Sequence, residues 1–590
     1  MSLTRRRQPL RGRTRLDATL HWRFLVAMAM NVPTLLRYGD HDPLAPVQVL
    51  HGFHVGLLAL YGVLLVFAYI RREWGDDHRS ATARILTRVS RPEMLFVLAG
   101  LTFSFSEGVV AMVGLVLTLI YVLRGYLLLV QSSLIPSGLV FIGSFVIFVG
   151  VGTGLLMLPS ATPHGQPIGF VDSVFTITSA ISQTGLVVRS TGDGFTRFGQ
   201  IIILIWIQVG ALGVVVFGAL LAEVIGTGFG LKATQTIAEG TEQGWAGQLS
   251  LQKLVIFTIV LTHGVEFIGA VILYVGWPET WLGEPGDFGT ARDRFYHCIF
   301  FSVSAFCNAG FATTANSMEG LRTHWTTHTV LIPLIVFGSI GFPVLANIRE
   351  VVMGRLRRRH VDGDRRLIRL NLNSRIILAT WVVLYVFGFL LIFLGEVTQA
   401  DQPGALALLD AHFMNLNRTS GFDTLPPHEM GVLSRLALIF LMFCGGAPGS
   451  VAGGIKLMVL AVMILTVWST LVGRAQTEVF GRTLPDILVR KCATLIVLVL
   501  AVIMGCSAVV AYHEQHIGLE AIIFEVTSAV GTTGLSMGIT ADLSTPSRWA
   551  IIVAMFLGRV GPFAVFAALV SITRAGRAQY AYPTESVVVY

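Results

Sequence analysis

Four times along the chain, a short polar stretch ending in a small residue and a glycine sits between two long apolar runs. The glycines are Gly185, Gly310, Gly421 and Gly534. Phe175, Phe300 and Phe524 precede three of them by ten residues, and Ala411 holds that place in the third repeat. The pairs Ser179-Ala180, Ser304-Ala305 and Ser528-Ala529 lie six and five residues before the same three glycines. An apolar residue follows every glycine: Leu186, Phe311, Phe422 and Leu535. Some 24 to 28 residues later each repeat carries G-x-x-G in an apolar run: Gly210/Gly213, Gly338/Gly341, Gly446/Gly449 and Gly558/Gly561. A regular internal period marks an array built from one unit. The period here is about 110 to 125 residues, and the unit reads helix, re-entrant polar turn, helix. Four such units around an axis make a pore.

The solvent for this array is lipid. Hydrophobic residues make up 54% of the chain and charged residues 13%, about half the charge of a soluble domain. Runs at 53–70, 109–123, 137–158, 201–222, 253–275, 328–346, 376–395, 489–512 and 549–570 approach the roughly 20 residues that cross a bilayer as a helix. The expected fold is therefore an all-α polytopic membrane protein. Cys298, Cys307, Cys444, Cys492 and Cys506 sit in or beside apolar segments without ligand spacing. They read as small hydrophobes rather than a disulfide framework.

The net charge of +8 is distributed by topology and is no nucleic-acid signature. Residues 348–375 hold nine arginines against three acids, and 471–491 adds Arg474, Arg482, Arg490 and Lys491. The positive-inside rule puts both stretches in the cytoplasm. The opposite connections carry Glu279, Glu284, Asp287 and Asp293 in one case, and Glu396, Asp401 and Asp410 in another, so the polar turns enter from outside. The expected divisions are a basic tail with extra helices at 1–135, repeats at 136–230, 231–360, 361–475 and 476–575, and a C-terminal tail at 576–590. For the first repeat to point correctly, 92–131 must cross the membrane an even number of times.

A polar turn at membrane depth needs a reason. Unsatisfied backbone in hydrocarbon costs several kcal/mol, so irregular chain survives there only where protein or a water-filled cavity surrounds it. A turn such as S-Q-T-G-L (182–186) has carbonyls that no helix consumes. Four turns around one axis can replace the hydration shell of a monovalent cation, as in potassium filters. Glycine supplies the dihedrals this requires, and the preceding short helices aim their partially negative C-termini at the axis. The alternative is glycine at ordinary turns and helix-packing contacts.

The turns S-Q-T-G-L, C-N-A-G-F (307–311), R-T-S-G-F (418–422) and G-T-T-G-L (531–535), with F-C-G-G-A-P-G-S-V-A-G-G-I-K (443–456), resemble those of the Trk/Ktr/HKT superfamily of potassium transporters. The resemblance covers about residues 136–573. It implies four helix–pore-helix–helix repeats in one chain, with extra N-terminal transmembrane helices. It implies a potassium filter built from Gln183, Thr184, Gly185 and Leu186; Asn308, Ala309, Gly310 and Phe311; Thr419, Ser420, Gly421 and Phe422; and Thr532, Thr533, Gly534 and Leu535. Potassium at this filter is the only metal implied. Glycine at 185, where some sodium-permeable members carry serine, implies potassium preference. Arg418 resembles what the family carries before the third turn. The resemblance further implies a homodimer in the cell membrane and a cytosolic ring of nucleotide-binding regulatory subunits, with the nucleotide on that partner and no cofactor in this chain.

The third inner helix is interrupted by Gly445, Gly446, Pro448, Gly449, Gly453 and Gly454, a density that cannot hold a regular helix. No other repeat has this density. The resemblance makes this segment, with Ala447 and Ser450, a gating loop below the filter; a kink is the plainer reading. Arg559 is the one charged residue between Arg548 and Arg574. At that depth a charge costs at least about 2.5–3.5 kcal/mol, so it should face a cavity or the carbonyls of the broken helix. Its role is then either gating or structural pairing. Glu266, near His263, is also intramembrane and fits burial, helix pairing or transport. No H-E-x-x-H, G-x-S-x-G or Walker loop is present, and G-T-G-F-G (226–230) follows a transmembrane run rather than a strand. The competing functions are an ion-coupled secondary transporter with broken helices and an intramembrane enzyme using His263 and Glu266.

Overall fold

The longest apolar runs form the longest helices. The computed structural model describes residues 23, 25–32, 47–73, 137–212, 251–277, 291–314, 316–356, 369–400 and 402–561. The expected crossings within 92–131, Gly213, the arginines from 357 to 366, the acids at 279–287 and the C-terminal tail lie outside the described residues. Ahead of the repeats lies α1 (Val47–Glu73). The first repeat contributes α2 (Ser137–Leu156), α3 (Phe170–Ser182) and α4 (Arg197–Ala211). The second has α5 (Leu251–Gly276), α6 (Ala291–Phe306), α7 (Ile332–Ile340) and α8 (Phe342–Leu356). The third has α9 (Leu372–Thr398), α10 (Gly404–Leu416), α11 (Val432–Phe443) and α12 (Leu457–Leu471). The fourth has α13 (Asp486–His513), α14 (Leu519–Gly531) and α15 (Thr545–Val560).

Three of the outer helices, α5, α9 and α13, are long and apolar enough to cross a bilayer. Only 28%, 28% and 22% of their apolar windows are buried in protein, and Val383, Val386, Phe387 and Leu390 on α9 are exposed on the outside of the bundle. The short helices are the reverse. Every residue of α3 from Ser173 to Ser182 is buried, hydroxyls included. Each short helix packs on the outer helix and the inner helix of its own repeat. Each also packs on the inner helix of the preceding repeat: α6 on α4, α10 on α7, α14 on α11, and α3 back on α15. The last contact closes the circuit, and a 2.5 Å ion pair between Arg548 and Asp172 reinforces it. The hydrophobic core follows suit, with Phe175 and Leu186 of the first repeat clustered among Val526, Ile551 and Met555 of the fourth.

Local chemistry sets the boundaries. Thr196 accepts from Gly199 N at 3.3 Å and Asn371 from Ser374 N at 2.8 Å, capping α4 and α9. The short helices α3 and α14 stop at Gln183 and Thr532, both in the left-handed conformation. The third inner helix is not the only broken one. The run 328–346 bends by 100° where α7 meets α8, at Gly341 with φ +93°. Its amide ladder is interrupted because Phe342 N donates instead to Gly449 O, at 3.1 Å, in the loop of the third repeat. The connection 471–491 also contains a small antiparallel hairpin, β1 (Glu478–Val479) and β2 (Arg482–Thr483). Phe480 and Gly481 turn it with positive φ at both central positions.

Candidate functional site

The four glycines meet. Each has positive φ: +91° at Gly185, +70° at Gly310, +81° at Gly421 and +99° at Gly534. A β-carbon on Gly185 would lie 2.6 Å from Ala309 O and 3.1 Å from the Gly310 Cα. One on Gly310 would strike Ser420 O, one on Gly421 Thr533 O, and one on Gly534 Thr184 O. The contacts run 185 to 310, 310 to 421, 421 to 534 and 534 back to 185. Glycine is required twice at each position, by its left-handed backbone and by the neighbouring turn's carbonyl.

The recurring serine braces this ring. Ser179 Oγ accepts from Gly185 N at 3.1 Å, and Ser528 Oγ accepts from Gly534 N at 3.0 Å. Ser304 Oγ donates to Phe311 O at 2.8 Å. In the third turn Asn415 stands at the serine position, with its amide given to Tyr385 O at 2.6 Å. Asn417 donates to Phe422 O in its place. The sequence pattern marked Ser179, Ser304 and Ser528 by spacing without showing their task; Asn415 and Asn417 carried no pattern.

The residue two before each glycine reaches outward. Gln183 Nε2 donates to Ile207 O in α4 at 3.0 Å, and Asn308 Nδ2 to Ile335 O in α7 at 3.2 Å. Thr419 Oγ1 donates to Asn308 Oδ1 at 2.8 Å, joining turns 2 and 3. Thr532 Oγ1 accepts from Gly453 N at 3.0 Å. The first glycine of G-x-x-G allows the inner helices this approach. A β-carbon on Gly210, Gly338 or Gly558 would overlap Ile181 O, Phe306 O or Val530 O, each four residues before a ring glycine.

The glycine-rich segment 445–454 folds as a loop with its ends together. Cys444 and Ile455 form a parallel bridge, and Gly446 N donates to Gly453 O at 3.2 Å. Its crown, Ala447, Pro448, Gly449 and Ser450, lies against the break between α7 and α8. Ala447 N donates to Ser339 O at 2.9 Å and Val451 N to Gly338 O at 3.2 Å. Pro343 packs on Gly449, where a β-carbon would be 2.9 Å from its Cδ. Arg559 sends one Nη to Val451 O in the loop and the other to Gly210 O in α4, so a single guanidinium links the first, third and fourth repeats. Lys456, which the sequence reading gave no role, donates to Ala452 O at 2.8 Å. Arg559 and Lys456 thus both sit on loop carbonyls.

Glu266 is buried and serves as a joint. Gln208 Nε2 of α4 donates to both its oxygens at 2.7 Å, and Cys307 Sγ approaches Oε1 at 3.4 Å. His263 Nδ1 is 3.1 Å from Oε2. This carboxylate connects the first inner helix to the second outer helix and to the start of turn 2.

These features can be compared with known proteins. The family model described as TrkH, a cation transport protein, matches residues 139–574. Ktr system potassium uptake protein D of Bacillus subtilis is 31% identical over 462 residues, spanning 78% of this chain and 98% of that protein. The potassium/sodium uptake protein NtpJ of Enterococcus hirae is 31% identical over 473 residues, with the same coverage of 78% and 98%. The crystal structure of the potassium transporter TrkH from Vibrio parahaemolyticus superposes with a TM-score of 0.56 at 17% identity, covering 88% of this chain and 98% of that one. A multi-pass helical fold and these matches have one conclusion: the chain belongs to the TrkH family of cation transport proteins.

Proposed function

We propose that this chain takes potassium into the cell through the ring of four glycine turns, which acts as its selectivity filter, and that the loop 445–454 with Arg559 gates it. The observation that carries the reading is the closed contact of Gly185, Gly310, Gly421 and Gly534, each against the carbonyl preceding the next. Such turns leave backbone oxygens free of helical bonds, the ligands that dehydrated potassium requires. Relatives named for potassium uptake support the ion; one named for potassium and sodium makes the ratio between the two the quantity to measure. The inside-negative potential supplies about 2.3 kcal/mol per charge per 100 mV.

The loop fits a gate because its crown is held by backbone bonds to the second repeat and by Arg559 rather than by a helix of its own. The positive charges of Arg559 and Lys456 beside it oppose a cation's passage. Relatives named as parts of a Ktr system support a membrane subunit working with a separate partner, which this reading puts in the cytosol. In this reading two copies of the chain form a dimer, and a regulatory nucleotide binds the partner ring.

A second reading, ion-coupled transport, draws on the two broken helices, α7–α8 and α11–α12. Rubidium uptake into liposomes separates the two. Uptake driven by potential alone supports the filter reading. Uptake that requires an imposed sodium or proton gradient overturns it in favour of coupling.

A further inference from the structure

Turns 3 and 4 touch the loop at both its ends. At the entrance, Arg418 Nη1 donates to Leu441 O at 3.2 Å and to Cys444 O, and lies 3.5 Å from Gly445 O. At the exit, Gly453 N donates to Thr532 Oγ1 at 3.0 Å. Gly453 lies flat on that side chain: a β-carbon there would come within 2.8 Å of Thr532 Cγ2. The two loop ends are joined to each other through Gly446 and Gly453. The two turns are joined as well, because Thr533 Oγ1 donates to Arg418 O at 3.0 Å. Loop entrance, turn 3, turn 4 and loop exit therefore form one closed circuit of hydrogen bonds. Arg418 is 5% exposed and forms no ion pair among the described residues, so the loop-end carbonyls are what offsets its burial. Moving them strands a buried charge, which the chain resists by moving Arg418 too. Turn 1 lacks such a link, since Gln183 bonds to a carbonyl inside α4, and turn 2 meets the loop only at second hand, through Thr419 to Asn308 and through α7.

We propose that Thr532 and Arg418 are positioning residues that make ion selectivity depend on the position of the loop. Displacing the loop loosens turns 3 and 4 and leaves turn 1 in place, so the open gate and the filter are not independent. This rests on the filter-and-gate reading given above.

The test is the rubidium-to-sodium flux ratio in liposomes for Thr532→Val, Thr532→Ser and Gly185→Ser. Each is made in the full chain and in one shortened by deletion of residues 448–451, and all are first checked as folded by gel filtration. In the full chain, Thr532→Val removes the acceptor and lowers the ratio about two- to tenfold, the effect of one buried hydrogen bond. Thr532→Ser keeps the acceptor and recovers most of the loss. In the shortened chain Gly453 is already displaced, so Thr532→Val changes nothing further, whereas Gly185→Ser still lowers the ratio. A parental ratio for folded Thr532→Val overturns the proposal, as does an equal drop in both backgrounds. If Gly185→Ser also leaves the ratio untouched, the filter reading itself fails. Should Thr532→Val not fold, Arg418→Lys poses the same question, with a drop in the full chain and none in the shortened one as the expected result.

Discussion

Gln183 and Thr532 hold equivalent places, two residues before the glycines of turns 1 and 4, and share a left-handed backbone with φ of +61° and +49°. They anchor to different things. Gln183 is fastened to Ile207 O, inside α4. Thr532 is fastened to Gly453 N, in a segment with no helix at all. A helix carbonyl is fixed by the bonds above and below it; the loop amide moves whenever the loop does. Equivalent positions in a repeat can thus acquire unequal stiffness without any change in the ring they support. In the proposed filter-and-gate reading, selectivity rests on all four turns and regulation on the pair that can be loosened.

The severest way to break this comparison is to damage the ring where it is stiffest. Gly185→Ser forces a side chain into a left-handed backbone, at about 1–2 kcal/mol, and onto Ala309 O. The potassium-to-sodium uptake ratio should fall about tenfold, the equivalent of ~1.4 kcal/mol. Competitive rubidium uptake against sodium reads it, and an unchanged ratio removes turn 1 from the filter.

Next in size is Arg559→Ala, which deletes both donors and the charge from the loop side. Basal rubidium flux should rise severalfold while the selectivity of turn 1 holds. Arg559→Lys keeps the charge without the two-pronged contact to Val451 O and Gly210 O, and should fall between. A folded Arg559→Ala that conducts less than the parent would make the residue a structural strut.

Gln183→Met sharpens the contrast from the stiff side. It keeps the volume and removes the donor to Ile207 O, so selectivity should drop by about two- to tenfold. The same drop should appear in the full and loop-shortened chains, unlike that of Thr532→Val. A drop confined to the full chain would show that turn 1 also hangs from the loop.

The smallest effect concerns the outer side. Asp423 directly follows turn 3, and burial raises its carboxyl above the ordinary range. Glu319 is raised as well, by burial and by repulsion from Asp423 and Glu429. Groups with raised pKa values take up protons sooner as pH falls. Mild external acidification should therefore weaken uptake modestly, by removing negative charge near the entrance. Asp423→Asn should flatten that pH dependence and slightly lower uptake at neutral pH.

What could be read from the residues alone followed from local necessity. The ring glycines were legible because a left-handed backbone packed against a carbonyl admits no other residue, which leaves the same letter at Gly185, Gly310, Gly421 and Gly534. The loop was legible because Pro448 and its glycines rule out a helix. Arg559 stood out because charge is rare at that depth. The bend at Gly341 was not legible: its G-x-x-G is shared by every repeat, and the break depends on Phe342 N finding Gly449 O more than a hundred residues later. The bond from Thr532 to Gly453 was hidden for the same reason, since nothing in either residue's neighbourhood names its partner. Asn417 replaces a serine's task from another position, so spacing could not identify it.

The ring has a direction. A substituent on Gly185 presses on Ala309 O in turn 2, one on Gly310 on Ser420 O in turn 3, and one on Gly534 on Thr184 O in turn 1. Steric injury is therefore displaced clockwise or anticlockwise by one station from the substituted codon, always with the same hand. A homotetramer changed at its filter glycine would be struck at four stations together. Here each station is encoded separately, so one, two or three can be altered in chosen order. Adjacent double substitutions should then compound at a shared turn, while diagonal pairs such as Gly185 with Gly421 should injure turns 2 and 4 separately.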